Sequence, residues 1–172
     1  MDFSKIKAFA LDIDGVMTDG GILCDTSGEL YRTFDAKDSF AIRMAEMNGY
    51  PVAVITGGRS VSITKRMTGC GVPERDIYLA ARDKYVDFRD FCERYGLEEE
   101  SVMYFGDDLP DIPVMEHCFG VAPSDAVSEV KDAARMVSPF PGGKGCIRDT
   151  VERVMKSQGR WIYDVSEYKR RF

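Results

Sequence analysis

The stretch FALDIDGVMTDGG, residues 9–21, joins an apolar run to two aspartates that stand one residue apart, Asp12 and Asp14, with a glycine directly after them. A short, fully apolar run of this kind is typical of a buried strand in a parallel sheet. In such sheets the ligand cleft lies outside the carboxyl ends of the strands. The stretch therefore predicts a strand that ends in two carboxylates where chemistry is expected.

Outward from this stretch, strand-like and helix-like segments alternate along the chain. Strand-like runs occur at 6–11, 50–56, 76–80, 101–106, 118–122 and 134–138. Segments with apolar residues at helical spacing occur at 38–48, 60–69, 83–95, 111–117, 125–133 and 145–157. This alternation predicts an α/β protein with a Rossmann-like, mostly parallel sheet and helices on both faces. We expect one domain over residues 1–172, because the chain is short for two cores.

Two segments depart from the alternation. Residues 20–34 form two extended runs around a turn-like Asp-Thr-Ser-Gly sequence, which predicts a β-hairpin that projects beyond the first strand. Residues 159–172 have no clear period and are interpreted as a C-terminal tail.

Composition excludes several classes of protein. The net charge of -6 argues against a nucleic-acid partner, since phosphate backbones are bound by clustered Lys and Arg. The apolar runs are far shorter than the roughly 20 residues that cross a bilayer, so no membrane partner is expected. The five cysteines are scattered and His117 is the single histidine, which argues against a zinc site or a disulfide framework. We therefore expect reduced thiols and a cytoplasmic location.

Further polar residues fall at or just beyond the ends of other predicted elements: Thr56, Lys84, Asp107, Asp108 and Asp111. Each fragment alone is more often a turn, a cap or an ordinary surface residue. Together they bring several carboxylates and one lysine to the same edge of the sheet, where unpaired carboxylates would repel one another. A hard divalent cation with oxygen ligands relieves that repulsion, so the set predicts a Mg²⁺ site.

The ordered motifs DIDG, TGG, Lys84 and GDDLPD resemble the four motifs of the haloacid dehalogenase-like superfamily of phosphotransferases. The resemblance implies a metal-dependent phosphatase in which Asp12 is the nucleophile and Asp14 the general acid and base. It implies that Asp12, the main-chain carbonyl of Asp14 and Asp107 hold Mg²⁺. Asp108 and Asp111 would support that site without binding the metal directly. Thr56 and Lys84 would bind the phosphoryl group.

The gaps between these motifs leave no room for the cap domain that many members carry. The segments DGVMTDGGI, KDSFAIR and PGGKG resemble the capless group that hydrolyses phosphates of KDO, the eight-carbon sugar acid of bacterial lipopolysaccharide. The resemblance implies a homotetramer whose hairpins form a central barrel, so that each subunit covers its neighbour's cleft. The tail, with Arg160 and Trp161, is a candidate lid over that cleft.

The same resemblance implies a substrate-binding set: Asp14, Asp35, Ala36, Lys37, Asp38, Ser39, Arg43, Thr56, Gly57, Arg59, Arg66 and Lys84. A forked guanidinium suits a sugar carboxylate well. The alternative is that Arg43 and Arg66 only solvate helix faces and that Asp38 only caps a helix. The chain departs from the common pattern at Gly58, where members often have arginine, and Arg59 is a candidate replacement.

Two other functions remain open at this stage. One is a phosphatase of the same chemistry that acts on a nine-carbon sugar-acid phosphate or on sugar phosphates in general. Those nine-carbon enzymes tend to have an acidic residue at the position of Gly58, and its absence favours the eight-carbon substrate. The other is a non-catalytic oligomerisation module related to the C-terminal domains of sialate cytidylyltransferases, against which the intact motif set argues.

Overall fold

The computed structural model describes residues 2–172. The strands are β1 (Ala8–Leu11), β2 (Leu23–Cys24), β3 (Leu30–Tyr31), β4 (Val52–Ile55), β5 (Ile77–Tyr78), β6 (Val102–Phe105), β7 (Phe119–Ala122) and β8 (Met136–Val137). The helices are α1 (Ala36–Met47), α2 (Val61–Thr68), α3 (Lys84–Tyr95), α4 (Ile112–Met115), α5 (Ser128–Ala133), α6 (Cys146–Ser157) and α7 (Val165–Arg171). None of the described helices is long and apolar enough to cross a bilayer.

Six of these strands form one sheet in the order β5-β4-β1-β6-β7-β8, and every neighbouring pair is parallel. In the register of the central strand, Phe9 lies opposite Val52 on one side and Met103 on the other. The chain builds outward from β1 through β4 and β5, and then returns to build β6, β7 and β8 on the other side. The α/β prediction is confirmed, and the carboxyl ends of β4, β1 and β6 lie side by side at the point where the direction reverses.

Both faces of the sheet are buried under helices. Successive side chains of β1 point to opposite faces, so they enter two different clusters. Phe9 and Leu11 pack into the cluster that includes side chains of α1 and α6, whereas Ala8 and Ala10 pack into the cluster that includes side chains of α3 and α5. All four residues of β1 are fully buried. A continuous apolar run therefore marks a strand with helices on both sides, as the sequence predicts.

Two predicted helices are shorter than their apolar spacing suggests. The segment 111–117 is a single α-turn, Ile112–Met115, that follows a 3₁₀ turn at Leu109–Asp111. The segment 125–133 becomes helical only at Ser128, because the Asp125 side chain accepts a hydrogen bond from the backbone N–H of Gly142 at 2.9 Å and is held in the preceding turn. A long-range contact thus accompanies the shortening of the second helix.

The predicted hairpin is present, although its strands are only two residues each. Leu23 pairs with Tyr31 and Cys24 pairs with Leu30 in antiparallel register. Asp25 stabilises the turn by accepting hydrogen bonds from the backbone N–H groups of Ser27 and Glu29 at 2.8 and 3.0 Å. The hairpin projects as its own two-stranded sheet, and Leu23 is 70% exposed.

Within the predicted C-terminal tail, residues Val165–Arg171 form α7 behind an Asp164 cap, although the sequence has no clear period there. This helix lies against α1: the Tyr168 hydroxyl is 2.6 Å from Arg43 Nη1, and Arg171 donates to the backbone carbonyl of Glu46 at 3.1 Å. Val165 and Tyr168 are the only apolar or aromatic residues of this helix, so its sequence has no apolar stripe that would indicate it. Within the chain, α7 therefore packs on α1, and the lid remains a prediction.

Candidate active site

Polar side chains follow three adjacent strands at the carboxyl edge of the sheet. Asp12 comes directly after β1, Thr56 directly after β4, and Asp107 two residues after β6. Lys84 is the first residue of α3, whose N-cap is Asp83. Together with neighbouring residues these side chains line a cleft of about 300 Å³. The cleft lies at the edge of the sheet where the sequence predicts that the motifs meet.

Gly15 allows the loops after β1 and β6 to approach each other. Its φ of +87° lies in the left-handed region, and a Cβ at this position would lie 2.0 Å from Oδ2 of Asp107. Any side chain here would displace the carboxylate. The glycine that follows the two aspartates is therefore needed for the site to close.

Lys84 joins two of the aspartates in a buried ion-pair network. Its Nζ lies 3.0 Å from Oδ2 of Asp12 and 2.7 Å from Oδ1 of Asp111, and its side chain is only 5% exposed. Burial alone would lower the pKa of Lys84, but the two carboxylates outweigh it and raise the pKa above its ordinary value. The lysine therefore remains a cation beside the predicted nucleophile.

Asp111 is saturated with hydrogen bonds and supports the site from behind. Its Oδ1 accepts from Lys84 and from the Tyr104 hydroxyl at 2.6 Å. Its Oδ2 accepts from the backbone N–H groups of Asp107 and Asp108 at 3.0 and 3.3 Å. Although its carboxylate lies near those of Asp12 and Asp107, it has no lone pair to spare for a metal. This arrangement fits the supporting role predicted for Asp111.

Asp12 and Asp107, by contrast, carry unsatisfied charge. Burial and the nearby Asp111 raise the pKa of Asp12 to about 6, although Lys84 opposes the shift. Burial, followed by repulsion from Asp12 and Asp111, raises the pKa of Asp107 to about 7. Oδ1 of each is buried without a hydrogen-bond partner among the described residues. Two buried acceptors without donors fit a hard divalent cation that prefers oxygen ligands.

The phosphoryl-binding candidates lie on the loop after β4. Thr56 is buried, and its hydroxyl accepts a hydrogen bond from the backbone N–H of Gly58 at 3.1 Å. Its own backbone N–H donates to the carbonyl of Tyr78 at 3.0 Å, which fixes the loop to β5. Gly57 is exposed and lines the cleft with Gly58. The loop is held in place and presents backbone as well as hydroxyl groups.

Asp14 has a partner that the sequence interpretation missed. Arg32, which follows β3 of the hairpin, donates from Nε to Oδ1 of Asp14 at 2.6 Å and from Nη2 to Oδ2 at 2.9 Å. Leu30, Arg32 and Phe34 alternate with the exposed Tyr31 and Thr33. An arginine on the inward side of such an alternation is the signal in the sequence that could have indicated the contact with Asp14.

The start of α1 contributes no residue to the 300 Å³ cleft. Asp35 is the N-cap of α1 and accepts from the backbone N–H groups of Lys37 and Asp38. The alternative that Asp38 is a helix cap therefore does not hold for its own helix. Asp38 is fully buried and accepts from the N–H groups of Gly145 and Arg148, where α6 begins. Its carboxylate thus caps a different helix, 107 residues further along the chain. Ala36 and Lys37 are exposed, and the Ser39 hydroxyl donates to the carbonyl of Asp35.

The three arginines of the predicted substrate-binding set lie in different surroundings. Arg43 lies beneath the Phe172 ring, 5.0 Å from its centroid, in addition to its bond with α7. Arg66 lies over Phe34 at 5.9 Å, and its Nε is buried without a partner among residues 2–172. Arg59 is exposed. The 300 Å³ cleft is lined by none of the three, so their substrate contacts stay predictions.

A larger hollow of about 810 Å³ lies at the opposite end of the sheet, around Glu99 and His117. These residues precede β6 and β7, so the hollow faces the amino ends of the strands. It holds neither the paired aspartates nor the lysine. Size alone therefore does not identify the site, and the chemistry indicates the smaller cleft.

Comparisons with known proteins agree with this geometry. A family model described as haloacid dehalogenase-like hydrolase matches residues 71–145. The 3-deoxy-D-manno-octulosonate 8-phosphate phosphatase KdsC of Escherichia coli K12 is 33% identical over 157 residues, which cover 91% of this chain and 82% of that protein. The similarity therefore extends over nearly the whole fold.

Solved structures give the same result. The 3-deoxy-D-manno-octulosonate 8-phosphate phosphatase of Yersinia pestis superposes with a TM-score of 0.88 at 31% identity, over 92% of this chain and 85% of that one. The corresponding enzyme of Moraxella catarrhalis, solved with a magnesium ion, a phosphate ion and KDO, superposes with a TM-score of 0.87 at 26% identity, over 92% and 91%.

Proposed function

This chain belongs to the haloacid dehalogenase-like hydrolases, in the group of 3-deoxy-D-manno-octulosonate 8-phosphate phosphatases, and we propose that it hydrolyses KDO 8-phosphate to KDO and phosphate. The relatives at 31–33% identity support the substrate class. The observation that supports the type of reaction is that the two aspartates are paired with different cations. Asp12 is paired with Lys84 and Asp14 is paired with Arg32.

We propose that Asp12, Asp107 and the main-chain carbonyl of Asp14 hold Mg²⁺. The buried, unpartnered Oδ1 atoms of the two side chains support this ligand set. When bound, Mg²⁺ supplies positive charge that offsets the repulsion between carboxylate and phosphate and stabilises the charge of the transition state. Asp108 lines the cleft beside them, and its side chain accepts from the N–H of Leu109.

In the first proposed step, a carboxylate oxygen of Asp12 attacks phosphorus in line while the bond from phosphorus to the sugar oxygen breaks. Asp14 gives a proton to the departing alkoxide, which leaves as the sugar hydroxyl. The product on the enzyme is an aspartyl-phosphate at Asp12. Lys84 and Thr56 keep the phosphoryl oxygens in place, since both border the cleft next to Asp12.

In the second step, Asp14 takes a proton from a water molecule that attacks the same phosphorus. The bond between Asp12 and phosphorus breaks and inorganic phosphate is released, which returns both carboxylates to their starting state. One aspartate therefore forms and loses the covalent bond, while the other moves the proton in both directions.

We propose that other copies of this chain close the site, in a homotetramer. The exposed apolar residues Ile22, Leu23 and Tyr31 on the short hairpin support this assembly, because a lone two-stranded ribbon is marginally stable in water. A neighbouring subunit would also bring its own residues over the cleft, which gives the predicted set around Lys37, Arg43 and Arg66 a route to the sugar acid. We place the reaction in the cytoplasm, where the five free cysteines would stay reduced.

The experiment is phosphate release from a panel of substrates with Mg²⁺ or with EDTA. The panel contains KDO 8-phosphate, a nine-carbon sugar-acid 9-phosphate, glucose 6-phosphate and p-nitrophenyl phosphate. We expect the highest kcat/KM with KDO 8-phosphate and loss of turnover in EDTA. A higher kcat/KM with the nine-carbon compound would identify that compound as the preferred substrate. No phosphate release from any compound of the panel would favour an oligomerisation module.

A further inference from the structure

We propose that Arg32 is a positioning residue that holds Asp14 in the orientation needed for proton transfer. This inference rests on the proposed function, since it requires Asp14 to be the proton donor and acceptor. The Arg32 side chain is 2% exposed, and it reaches Asp14 across 18 positions of sequence. It comes from the hairpin rather than from the sheet that carries the other residues of the cleft.

The contact has the geometry of a fork. Nε and Nη2 of the guanidinium each meet a different oxygen of Asp14, at 2.6 and 2.9 Å. A bidentate pair fixes the plane of the carboxylate as well as its position. Within residues 2–172, the side chain of Asp14 accepts no other hydrogen bond, so Arg32 alone decides where its oxygens point.

Arg32 meets the cleft through Asp14 rather than by lining it. It is absent from the lining of the 300 Å³ cleft, and it lines a separate hollow of about 380 Å³ beneath the hairpin with Ile22, Leu23 and Tyr31. Asp14 is 25% exposed and faces the cleft between them. The arginine therefore reaches the reaction through Asp14.

The loop after β4 leaves room for this guanidinium. A Cβ at Gly58 would lie 3.3 Å from Nη2 of Arg32 and 2.7 Å from Cδ1 of Ile63. A larger residue at position 58 would press on the arginine and on the core below it. Gly58 thus accommodates the fork.

The consequence is a hairpin that is coupled to proton transfer. Arg32 follows directly after Tyr31, so a displacement of the hairpin moves the guanidinium and with it the carboxylate of Asp14. Misplacing a catalytic group by about 1 Å costs about 10²-fold in rate. The loss should appear where the leaving group needs a proton and be small where it does not.

The test is a double-mutant cycle of Arg32→Ala and Asp14→Asn, measured with KDO 8-phosphate and with p-nitrophenyl phosphate, whose leaving group needs no proton. For Arg32→Ala we expect kcat to fall about 10²-fold with the sugar phosphate and less than about tenfold with the aryl phosphate, with KM changed by less than about threefold. On the Asp14→Asn background the same substitution should cost nothing further, because its effect passes through Asp14.

Three controls keep the result specific. Arg89→Ala removes a half-exposed arginine of α3 that pairs with Glu93 and should leave both rates unchanged. Added guanidinium ion should restore part of the sugar-phosphate rate to Arg32→Ala, which a collapsed hairpin would not allow. Where alanine destabilises the chain, Arg32→Lys keeps the charge but not the fork, and we expect the same pattern with a loss of about tenfold.

Equal losses on both substrates, or losses of Arg32→Ala and Asp14→Asn that multiply, would overturn the positioning role and leave the proposed function standing. A wild-type protein that is inactive on both substrates, or an Asp14→Asn variant with full activity on the sugar phosphate, would overturn the proposed function and this role together.

Discussion

The carboxyl edge of the sheet forms the cleft, and the hairpin at 20–34 binds one of its residues, Asp14, through Arg32, but the two regions are built in opposite ways. At the edge, Asp12, Lys84 and Asp111 are buried and joined by ion pairs of 3.0 and 2.7 Å. The hairpin has two residues in each strand and exposes Leu23 and Tyr31. The ion pairs of the edge are completed within one chain, whereas the hairpin exposes apolar side chains that residues 2–172 leave uncovered.

This difference indicates how the work is divided. A network of buried charges needs a rigid support, because an unpaired charge in the interior costs several kcal/mol. An exposed hairpin can be ordered by other copies of the chain and can therefore respond to assembly. We infer that the edge performs the covalent chemistry and that the hairpin governs closure and the placement of Asp14.

The sharpest way to break the comparison is Asp12→Asn. The amide keeps the shape but loses the nucleophilic charge, so we expect kcat to fall on the order of 10⁴-fold or more while the fold is retained. Phosphate release and a circular dichroism spectrum measure the two properties. Turnover within about tenfold of the wild type would show that the edge does not form the covalent bond.

The next effect in size concerns the hairpin. In Leu23→Ser/Tyr31→Ser two exposed apolar side chains become polar, and each is worth about 1.5–3 kcal/mol when it is buried in an interface. We expect light scattering with chromatography to show loss of the tetramer, and kcat/KM to fall at least about tenfold, mainly through KM.

The matched control for the hairpin is Val86→Ser/Val137→Ser, which changes two valines elsewhere that are 60% and 45% exposed. This control should retain the molecular mass of the assembly and the phosphatase activity. A wild-type monomer that hydrolyses the substrate efficiently would refute the proposal that assembly closes the site.

The smallest expected effect concerns the pH dependence of stability at the carboxyl edge of the sheet. Asp107 holds its proton more tightly in the folded protein, with a pKa of about 7 against an ordinary 3.8, because it is buried and lies near other carboxylates. Its contribution to stability is therefore present below about pH 4 and is lost as the pH rises through 7. In EDTA at pH 8, Asp107→Asn should raise Tm by about 2–4 °C, and at pH 4 it should have little effect.

A calorimetric scan with and without Mg²⁺ completes this prediction. Mg²⁺ should raise the Tm of the wild type and have much less effect on Asp107→Asn. Asp149→Asn, which alters an aspartate of α6 that pairs with Arg153, serves as the control. An unchanged Tm for Asp107→Asn at pH 8 in EDTA would contradict the prediction that the ionised Asp107 destabilises the folded protein.

Much of the edge could be predicted because its signals are local. Asp12, Thr56 and Asp107 each follow an apolar run, and parallel strands place their carboxyl ends together. Arg32, by contrast, is one of 23 lysines and arginines, and only its inward position after β3 distinguishes it. The helix α7 was missed for a related reason, since it is held by contacts with α1 and not by an apolar stripe of its own.

The sequence by itself determined the α/β fold, the order of the motifs and the meeting of Asp12, Lys84 and Asp107, because runs of buried residues and the ends of parallel strands are encoded locally. Only the tertiary structure decided what each carboxylate does once it is there. Asp111 is saturated by Lys84, Tyr104 and two backbone donors, and Asp38 caps α6. A carboxylate's role depends on which donors reach it, and those donors come from distant parts of the chain that only packing brings together.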